Sequence, residues 1–497
     1  MIRSADYVIA GGGTAGAVVA KRLAEAGAEV ILVEAGPTGE RDDRVNVLSR
    51  WMELLGSELD YDYRTRSARG NDLMRYPQAR VLGGCSAHNG AAAFRTPDWD
   101  LDAWADLGAA GWGAEDSSPY FDRLFSQVPL AMADGDHEWV NAFIEAAHEA
   151  GLPLVDMGQP NVGEGAGWFM QNRTGELRAS SAAAYLFPLS DCPANLQILT
   201  DETVLRVLFD QRGDALGIET ARGPIIAREE VVLCGGTFGS SKLLLLSGIG
   251  PGDHLRAVGI EQIAESPGVG QHLIDHPEGL ILWEAEGPPQ GSARSHWESG
   301  AFLPMPGGSE FPEIQVQVTT MRYEEMALAR GYPRGEHIFA ALPNVARARS
   351  EGSVRLRSAD PSAPLEIDTG YFTDPEGYDE KVMLEGMRWT RALADRPALS
   401  RVIKRELVPG PAVSDDAGLI ECARTVGDSV IHPAGTCKMG ADEDPMAVLD
   451  PQLRVRGVGR LRVADASIFP SMPTVNPCLT VMMIGERCAA EIVAGSG

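Results

Sequence analysis

A glycine-rich turn close to the N-terminus restricts the folds open to this chain. An apolar run at 6–10 leads into Gly11-x-Gly13-x-x-Gly16, and a helical apolar pattern and a second apolar strand follow, ending in Glu34. This order predicts a βαβ unit with parallel strands. The glycines would let the backbone approach a pyrophosphate, and an acid 18 residues after Gly16 would bind a ribose, which favours FAD or NAD over NADP. A tight structural turn is the alternative.

Charge and hydropathy narrow the range of partners. The 497 residues include 70 acidic and 43 basic side chains, a formal charge of −27. This balance argues against nucleic acid and anionic membranes as partners, and it is compatible with a cationic ligand or with solubility alone. No apolar window approaches the roughly 18 residues of a membrane span, and we expect no signal peptide. Seven cysteines without a CxxC pair predict reduced thiols in a cytoplasmic protein.

The rest of the chain alternates between two kinds of pattern. Residues 196–234 read as strands and 237–247 as a helix, whereas about 278–430 loses the mononucleotide-binding character. The strand–turn–helix pattern of 460–495 resembles the first region again. This recurrence predicts a nucleotide-binding domain whose parts are separated in sequence, with a second region laid over it.

Four further segments carry residues suited to chemistry. A second glycine-rich loop runs from Arg80 to Asn89 and contains His88, which could be a packed loop histidine. His432 lies in another glycine-rich turn and is the residue type best suited to accept a proton near neutral pH. Asn476 precedes an apolar helix, so capping is its simplest role. The spacing of His272 and His276 would suit a metal, but no third ligand motif accompanies it, and Asp275 and Glu278 could be solvated loop carboxylates.

Four stretches together make the chain resemble the glucose–methanol–choline oxidoreductase family, most closely its choline oxidase branch. They are VIAGGGTAGAVVAKRLAE, RVLGGCSAHNGAAAF, CGGTFGSSKLLLLSGIGP, and HPAGTCKMG with RVADASIFPSMPTVNPCLTVMMIGERCA. The resemblance runs nearly end to end, with the stretches in the family's order. It implies an α/β fold with a Rossmann-like FAD-binding domain and an interleaved α+β substrate-binding domain. The FAD-binding domain would comprise 1–148, 189–277 and 430–497, and the substrate-binding domain 149–188 and 278–429.

The resemblance also implies how FAD is held. The cofactor-binding residues would be Gly11, Gly13, Thr14, Gly16, Glu34, Gly84, His88, Asn89, Asp465 and Asn476. The first glycines and Glu34 would hold the ADP half, and Asp465 would lie near the pyrophosphate and ribityl chain. His88 occupies the position that is linked covalently to the flavin in choline oxidase-like proteins, so we expect covalent FAD.

The active-site pair implied by the resemblance is His432 with Asn476. His432 would help to deprotonate an alcohol, Asn476 would orient its oxygen, and hydride would pass to the flavin. Val430 matches a valine that assists reaction with oxygen, which favours an oxidase. A dehydrogenase that passes electrons to a quinone or a protein is the alternative. A non-catalytic flavoprotein or a lyase would not need both residues.

The resemblance places a cation site beside this pair. The implied substrate-binding residues are Glu278, Trp51, Trp297, Tyr323 and Ile431. A carboxylate with aromatic faces suits a cation, although core packing would explain each Trp. Ile431, Gly90 and Gln317 depart from choline oxidase, and two of the three replacements remove bulk. We therefore expect the substrate to be a cationic primary alcohol: choline, another amino-alcohol or an amino sugar as in aminoglycoside biosynthesis. A neutral alcohol is the alternative. The resemblance also implies O2 as the electron acceptor and a homodimer.

Overall fold

The computed structural model describes residues 3–66, 73–133 and 135–495. Its first sheet contains the predicted βαβ unit. Strands Arg3–Ala10 and Val30–Val33 pair in parallel and are joined by helix Gly16–Glu25. The described strands of this sheet, in spatial order, are Val204–Phe209, Ala215–Thr220, Gly223–Leu233, Arg3–Ala10, Val30–Val33 and Leu196–Leu199, with Leu461–Val463 also on Gly223–Leu233. The parallel pairing confirms the predicted α/β class.

The C-terminal segment returns to the first sheet, as its pattern predicted. Leu461–Val463 pairs in parallel with Gly223–Leu233, and helix Cys478–Gly495 packs on Gly16–Glu25. The contact is close, because a Cβ at Gly485 would lie 2.8 Å from the carbonyl oxygen of Ala15. The sequence pattern predicts two separate strands at 224–227 and 230–234. The structure has one long strand, Gly223–Leu233, in place of both. Its pairing with Arg3–Ala10 contains a register shift.

The second sheet is antiparallel and forms one wall of the site described below. Its described strands, in spatial order, are Ile403–Val408, Ile281–Ala285, Ile338–Val345, Ile314–Thr319, Trp297–Leu303 and Gly165–Trp168, with Pro277–Glu278 and Asp428–Ser429 attached. Helix Tyr378–Ala392 packs on Ile338–Val345 and Ile314–Thr319. Smaller sheets contain Tyr63–Arg66, Leu73–Tyr76, Leu130–Met132, Met170–Thr174, Leu177–Arg178, Ile249–Gly250, Ala264–Glu265, Ser353–Arg355 and Glu366–Asp368.

Helices connect and cover the two large sheets. The remaining α-helices in the described ranges are Asp43–Asn46, Asp98–Asp106, Ala114–Gln127, Glu138–Glu149, Ser181–Tyr185, Gly236–Leu246, Gly252–Ala257, Glu325–Ala329, Pro397–Ser400 and Asp416–Val426. Short 3₁₀ helices span Leu48–Leu54, Gly84–Ala87, Leu189–Asp191, Leu393–Asp395 and Ala466–Ile468. Across the part of the chain that the structure describes, every helix is too short or too polar to cross a bilayer.

The segments that build each sheet agree in outline with the interleaved arrangement. First-sheet strands fall within 3–33, 196–233 and 461–463, and second-sheet strands within 165–168, 277–345, 403–408 and 428–429. The exact domain boundaries stay a prediction. All seven cysteines are free thiols, as their dispersed spacing predicted.

Candidate active site

The glycine-rich turn is shaped by packing at two of its glycines and is open at the third. A Cβ at Gly11, whose φ is +110°, would lie 2.3 Å from the carbonyl oxygen of Cys234, and one at Gly16 would lie 2.0 Å from that of Gly11. A Cβ at Gly13 would meet nothing closer than 3.7 Å. Gly11 and Gly16 therefore allow strand and helix to approach, whereas Gly13 leaves the backbone accessible to a ligand.

Glu34 ends its strand with both carboxylate oxygens facing backbone amides. Gly12 N donates to Oε2 at 2.9 Å and Gly36 N donates to Oε1 at 2.8 Å. Burial raises the pKa of this carboxyl, and the two amide hydrogen bonds and the nearby Arg80 oppose that shift. Since a carboxylate has about four lone-pair sites, Glu34 can still accept a hydroxyl.

A single cavity of about 400 Å³ joins the dinucleotide loop to the second sheet. Every predicted site residue except Gly16 lines it: Gly11, Gly13, Thr14, Glu34, Trp51, Gly84, His88, Asn89, Glu278, Trp297, Tyr323, Ile431, His432, Asp465 and Asn476. Gly16 lies behind the loop, where its packing on Gly11 explains the need for glycine. The cavity thus brings together residues that are up to 465 positions apart in the sequence.

The loop that carries His88 packs directly on the dinucleotide loop. A Cβ at Gly84 would lie 2.7 Å from Cα of Gly13. His88 is buried, and its Nε2 has no hydrogen-bond partner among the described residues. Burial lowers the pKa of His88 to about 4, and the charge of Arg178 adds to this effect. A neutral ring nitrogen without a partner, in the wall of the cavity, is chemically suited to a covalent bond with a cofactor.

Asn89 and Asp465 are held by other protein groups. Asn89 Oδ1 accepts hydrogen bonds from Arg178 Nη1 at 2.6 Å and from Ala91 N at 3.1 Å. Asp465 Oδ2 accepts from Gly236 N at 2.9 Å and from Ser240 Oγ at 2.6 Å. Both side chains therefore fix loops around the cavity, and a direct contact with a cofactor stays a prediction for each.

The hydrogen bonds of His432 determine which of its ring nitrogens carries the proton. His276 Nε2 lies 2.9 Å from the carbonyl oxygens of Ala346 and Pro473, which can only accept, so this nitrogen carries hydrogen. In neutral His276, Nδ1 is therefore an acceptor. It lies 2.9 Å from Nδ1 of His432, which must donate. The lone pair of neutral His432 is thus on Nε2.

Asn476 meets that lone pair through its amide nitrogen. Its Oδ1 accepts from Gln315 Nε2 at 3.0 Å, which leaves Nδ2 to face His432 Nε2 at 3.3 Å. Gln317 Nε2 in turn donates to Gln315 Oε1 at 2.9 Å. Burial and the neighbouring His276 hold the pKa of His432 well below its ordinary value, so the imidazole is neutral near pH 7. A neutral base and an amide donor therefore meet at one point on the cavity wall.

Asp275 holds the backbone at both His276 and His432. The expectation that Asp275 could be a solvated loop carboxylate is therefore wrong. It is 3% exposed, and its Oδ1 accepts from the backbone amides of His276 at 2.8 Å and His432 at 2.9 Å. Its Oδ2 accepts from the hydroxyls of Tyr76, Tyr371 and Ser429. Sequence reasoning missed Asp275, His276 and Gln315 as parts of the site. The only signal was the Asp-His pair itself, which interrupts an apolar strand-like run.

His272 does not form a metal site with His276. Its Nε2 lies 3.0 Å from the carbonyl oxygen of Pro470, and its Nδ1 lies 2.9 Å from Glu351. Within the described ranges, no group of three or more His, Cys, Asp or Glu side chains is arranged to hold a metal.

The predicted cation site is a buried carboxylate against aromatic rings. Glu278, also taken as a possible solvated carboxylate, is 2% exposed, and its Oε1 accepts from the Tyr323 hydroxyl at 3.1 Å. Trp297 meets Tyr323 edge to face with ring centroids 5.9 Å apart. Trp51 is held by a hydrogen bond from Nε1 to the carbonyl oxygen of Ser295 at 3.0 Å. Burial and the charge of Asp428 raise the pKa of Glu278.

Gly90 and Ile431, which the sequence analysis identified as departures from the resembled pattern, have a clear geometry. A Cβ at Gly90 would lie 3.1 Å from the Trp297 side chain, so glycine here lets the indole pack close to the backbone. Ile431 lines the cavity with a φ of +63°, a left-handed conformation that costs a β-branched residue roughly 1–3 kcal/mol. Its amide donates to Ser429 Oγ at 2.7 Å, which helps to hold this backbone.

Comparisons with known proteins agree with this architecture. The N-terminal and C-terminal family models of GMC oxidoreductase match residues 5–278 and 348–485. Choline oxidase from Arthrobacter globiformis is 42% identical over 98% of this chain and 94% of its own length, and an oxygen-dependent choline dehydrogenase from Brucella ovis is 34% identical over 98% and 95%.

Solved structures give the same result for the fold. Pyridoxine 4-oxidase from Mesorbium loti superimposes with a TM-score of 0.87 at 29% identity, covering 98% of both chains. A formate oxidase from Aspergillus oryzae, at 24% identity, has a TM-score of 0.89 over 99% of this chain and 98% of its own. This chain therefore belongs to the GMC oxidoreductase family of FAD-binding enzymes that act on CH–OH groups.

Proposed function

We propose that this protein is an oxidase of primary alcohols that carry a positive charge, with O2 as the electron acceptor. The observation that carries the proposal is the shared cavity, which the His432–Asn476 pair, the open backbone at Gly13 and the carboxylate of Glu278 all face. Choline, other amino-alcohols and amino-sugar alcohols, such as those of aminoglycoside biosynthesis, are the substrates that fit this description. A neutral alcohol would leave Glu278 without a counter-charge.

FAD would occupy the part of the cavity nearest the first sheet. Gly11, Gly13, Thr14 and Glu34 would hold its adenosine diphosphate half, with Gly16 supporting the loop. Gly84, Asn89 and Asp465 would shape the remainder, and His88 Nε2 would bond covalently to the flavin ring. Bound FAD supplies a two-electron acceptor for the hydride of the carbinol carbon.

The chain's own residues would handle the proton and the charge. The alcohol hydroxyl gives its proton to Nε2 of His432, which is the unprotonated nitrogen, and the Nδ2 amide of Asn476 donates to the developing alkoxide. The positive charge that forms on His432 is stabilised by its Nδ1–H bond to His276. Loss of one proton and one hydride converts the alcohol to an aldehyde. A hydrated aldehyde presents the same HO–C–H group, so a second cycle to the acid is part of the proposal.

Oxygen is the acceptor we favour, and a dehydrogenase that uses a quinone or a protein is the alternative. Val430 lines the cavity next to Ile431, at the position that resembles the oxygen-assisting valine. Choline oxidase and an oxygen-dependent choline dehydrogenase are both among the relatives. O2 would take two electrons and two protons and leave as hydrogen peroxide. A homodimer and a cytoplasmic location stay predictions.

Oxygen uptake by the purified protein tests the proposal. Choline, 2-aminoethanol and an amino sugar with a free primary hydroxyl would each be mixed with the yellow protein in air-saturated buffer. Uptake with an equimolar yield of peroxide is expected for at least one of them. Bleaching of the flavin without oxygen, followed by no reoxidation in air, would instead identify the dehydrogenase.

A further inference from the structure

A second carboxylate, that of the half-buried Asp428, lies directly beside Glu278. Strands Pro277–Glu278 and Asp428–Ser429 pair antiparallel, with Glu278 opposite Asp428. Side chains of directly opposed residues in such a pair project from the same face, with their Cβ atoms about 5 Å apart. The Tyr323 hydroxyl interacts with both carboxylates. Two acids therefore share one phenol, and Glu278 and Tyr323 are the members of this group that line the cavity.

Neither acid is neutralised by protein. Among the described residues, no Lys, Arg or His forms an ion pair with Glu278 or Asp428. Glu278 Oε2 is completely buried and has no hydrogen-bond partner in the described part of the chain. Asp428 Oδ1 accepts one hydrogen bond from the described residues, that of the Ser429 amide at 3.0 Å. Asp275, three residues from Glu278, differs because five donors surround it. The pair thus has acceptor capacity that the chain does not use.

We propose that Glu278 and Asp428 together form a subsite for an ammonium group that carries N–H donors, so that the preferred substrates are primary or secondary amines bearing the alcohol. This inference rests on the proposed function and specifies its substrate class. A protonated amine can donate to Glu278 Oε2, and its charge offsets both Glu278 and the adjacent Asp428. A quaternary ammonium offers charge but no donor, and it would leave Glu278 Oε2 unsatisfied.

The aromatic residues predict the opposite preference. Trp297, Tyr323 and Trp51 would favour added methyl groups, because each methyl buries apolar surface against the rings. A series of ligands that differ only in N-methylation therefore separates the two effects. If hydrogen bonds to the acids dominate, affinity falls with each methyl, and if the rings dominate, affinity rises.

The test uses 2-aminoethanol and its N-methyl, N,N-dimethyl and N,N,N-trimethyl forms with the flavin-loaded protein. Dissociation constants from the perturbed flavin spectrum and rate constants of anaerobic flavin reduction would be measured for wild type, Asp428→Asn and Glu278→Gln. We expect 2-aminoethanol to bind at least tenfold more tightly than choline in wild type. Asp428→Asn should reduce this ratio to near one, and Glu278→Gln should weaken the whole series. Glu443→Gln, which removes an exposed charge, is the matched control.

The outcomes separate the inference from the proposed function. Flavin reduction with choline bound as tightly as, or more tightly than, the primary amine overturns the inference and leaves the cationic alcohol oxidase intact. An unchanged preference in folded Asp428→Asn also overturns it. If no member of the series reduces the flavin or perturbs its spectrum, both proposals fail. The wild-type series is decisive even if a variant does not fold.

Discussion

Nδ1 of His276 lies 2.9 Å from Nδ1 of His432, although 156 residues separate them in the chain. The other nitrogen of His276 faces two carbonyl oxygens, so the direction of every hydrogen bond in this pair follows. The result is a neutral His432 with its lone pair on Nε2, opposite the amide of Asn476. His276 is thus a positioning residue, because it acts on the alcohol only through His432.

Replacing His276 tests this relationship. In His276→Ala, the Nδ1–H of His432 loses its acceptor, and the imidazole can adopt the wrong tautomer. We expect the rate constant of anaerobic flavin reduction to fall about 10²-fold, the lower end of what a general base contributes. Flavin content and substrate dissociation constant should change little. His272→Ala is the control, since His272 lies in the same loop and bonds to Pro470 outside this pair.

The pH dependence of flavin reduction follows from the pKa of His432. Burial and His276 lower this pKa below the ordinary value of 6.5, so protonation of the base requires a more acidic solution than usual. With substrate saturating, the reduction rate constant should stay constant from pH 8 to below 6.5 and should fall only at lower pH. Stopped-flow measurements across this range check the prediction. A loss of rate centred above pH 6.5 would contradict it.

Replacement by alanine should affect stability at one glycine of the dinucleotide loop and FAD binding at another. A methyl at Gly16 would overlap the carbonyl oxygen of Gly11 at 2.0 Å, whereas one at Gly13 has 3.7 Å of clearance. Gly16→Ala should destabilise the fold by at least about 3 kcal/mol, the upper range for overpacking. Gly13→Ala should fold normally and bind FAD weakly. Thermal unfolding and flavin content, measured on both variants, distinguish the two roles. Equal losses of stability would refute this reading of the loop.

Covalent attachment through His88 can be read without measuring activity. Its buried Nε2 has no partner in the described ranges, and its pKa is lowered to about 4, so the nucleophilic form is present at neutral pH. Acid-precipitated wild type should remain yellow, and its intact mass should increase by one FAD. His88→Ala should release all of its FAD into the supernatant. Free FAD from the wild type would exclude the bond.

Local sequence patterns were sufficient where the chemistry is local. The glycine turn, the helix and Glu34 lie within 34 residues, so their spacing alone predicted the βαβ unit. His276 and Gln315 could not be found this way, because their partners His432 and Asn476 come from segments that only the fold brings together. The same holds for Asp428, which is an ordinary acid in the sequence and becomes distinctive only opposite Glu278. The sequence predicted two strands in place of the long strand Gly223–Leu233, because charged residues interrupt its apolar run.

Anaerobic flavin bleaching tests most directly whether His432 is the base for alcohol oxidation in a cavity shared with FAD. Wild type and His432→Ala, matched for flavin content, would be mixed without oxygen with an alcohol of the 2-aminoethanol series. We expect rapid bleaching of the wild type and a rate at least about 10²-fold lower in the variant, with FAD still bound. Bleaching of His432→Ala at the wild-type rate would contradict the account.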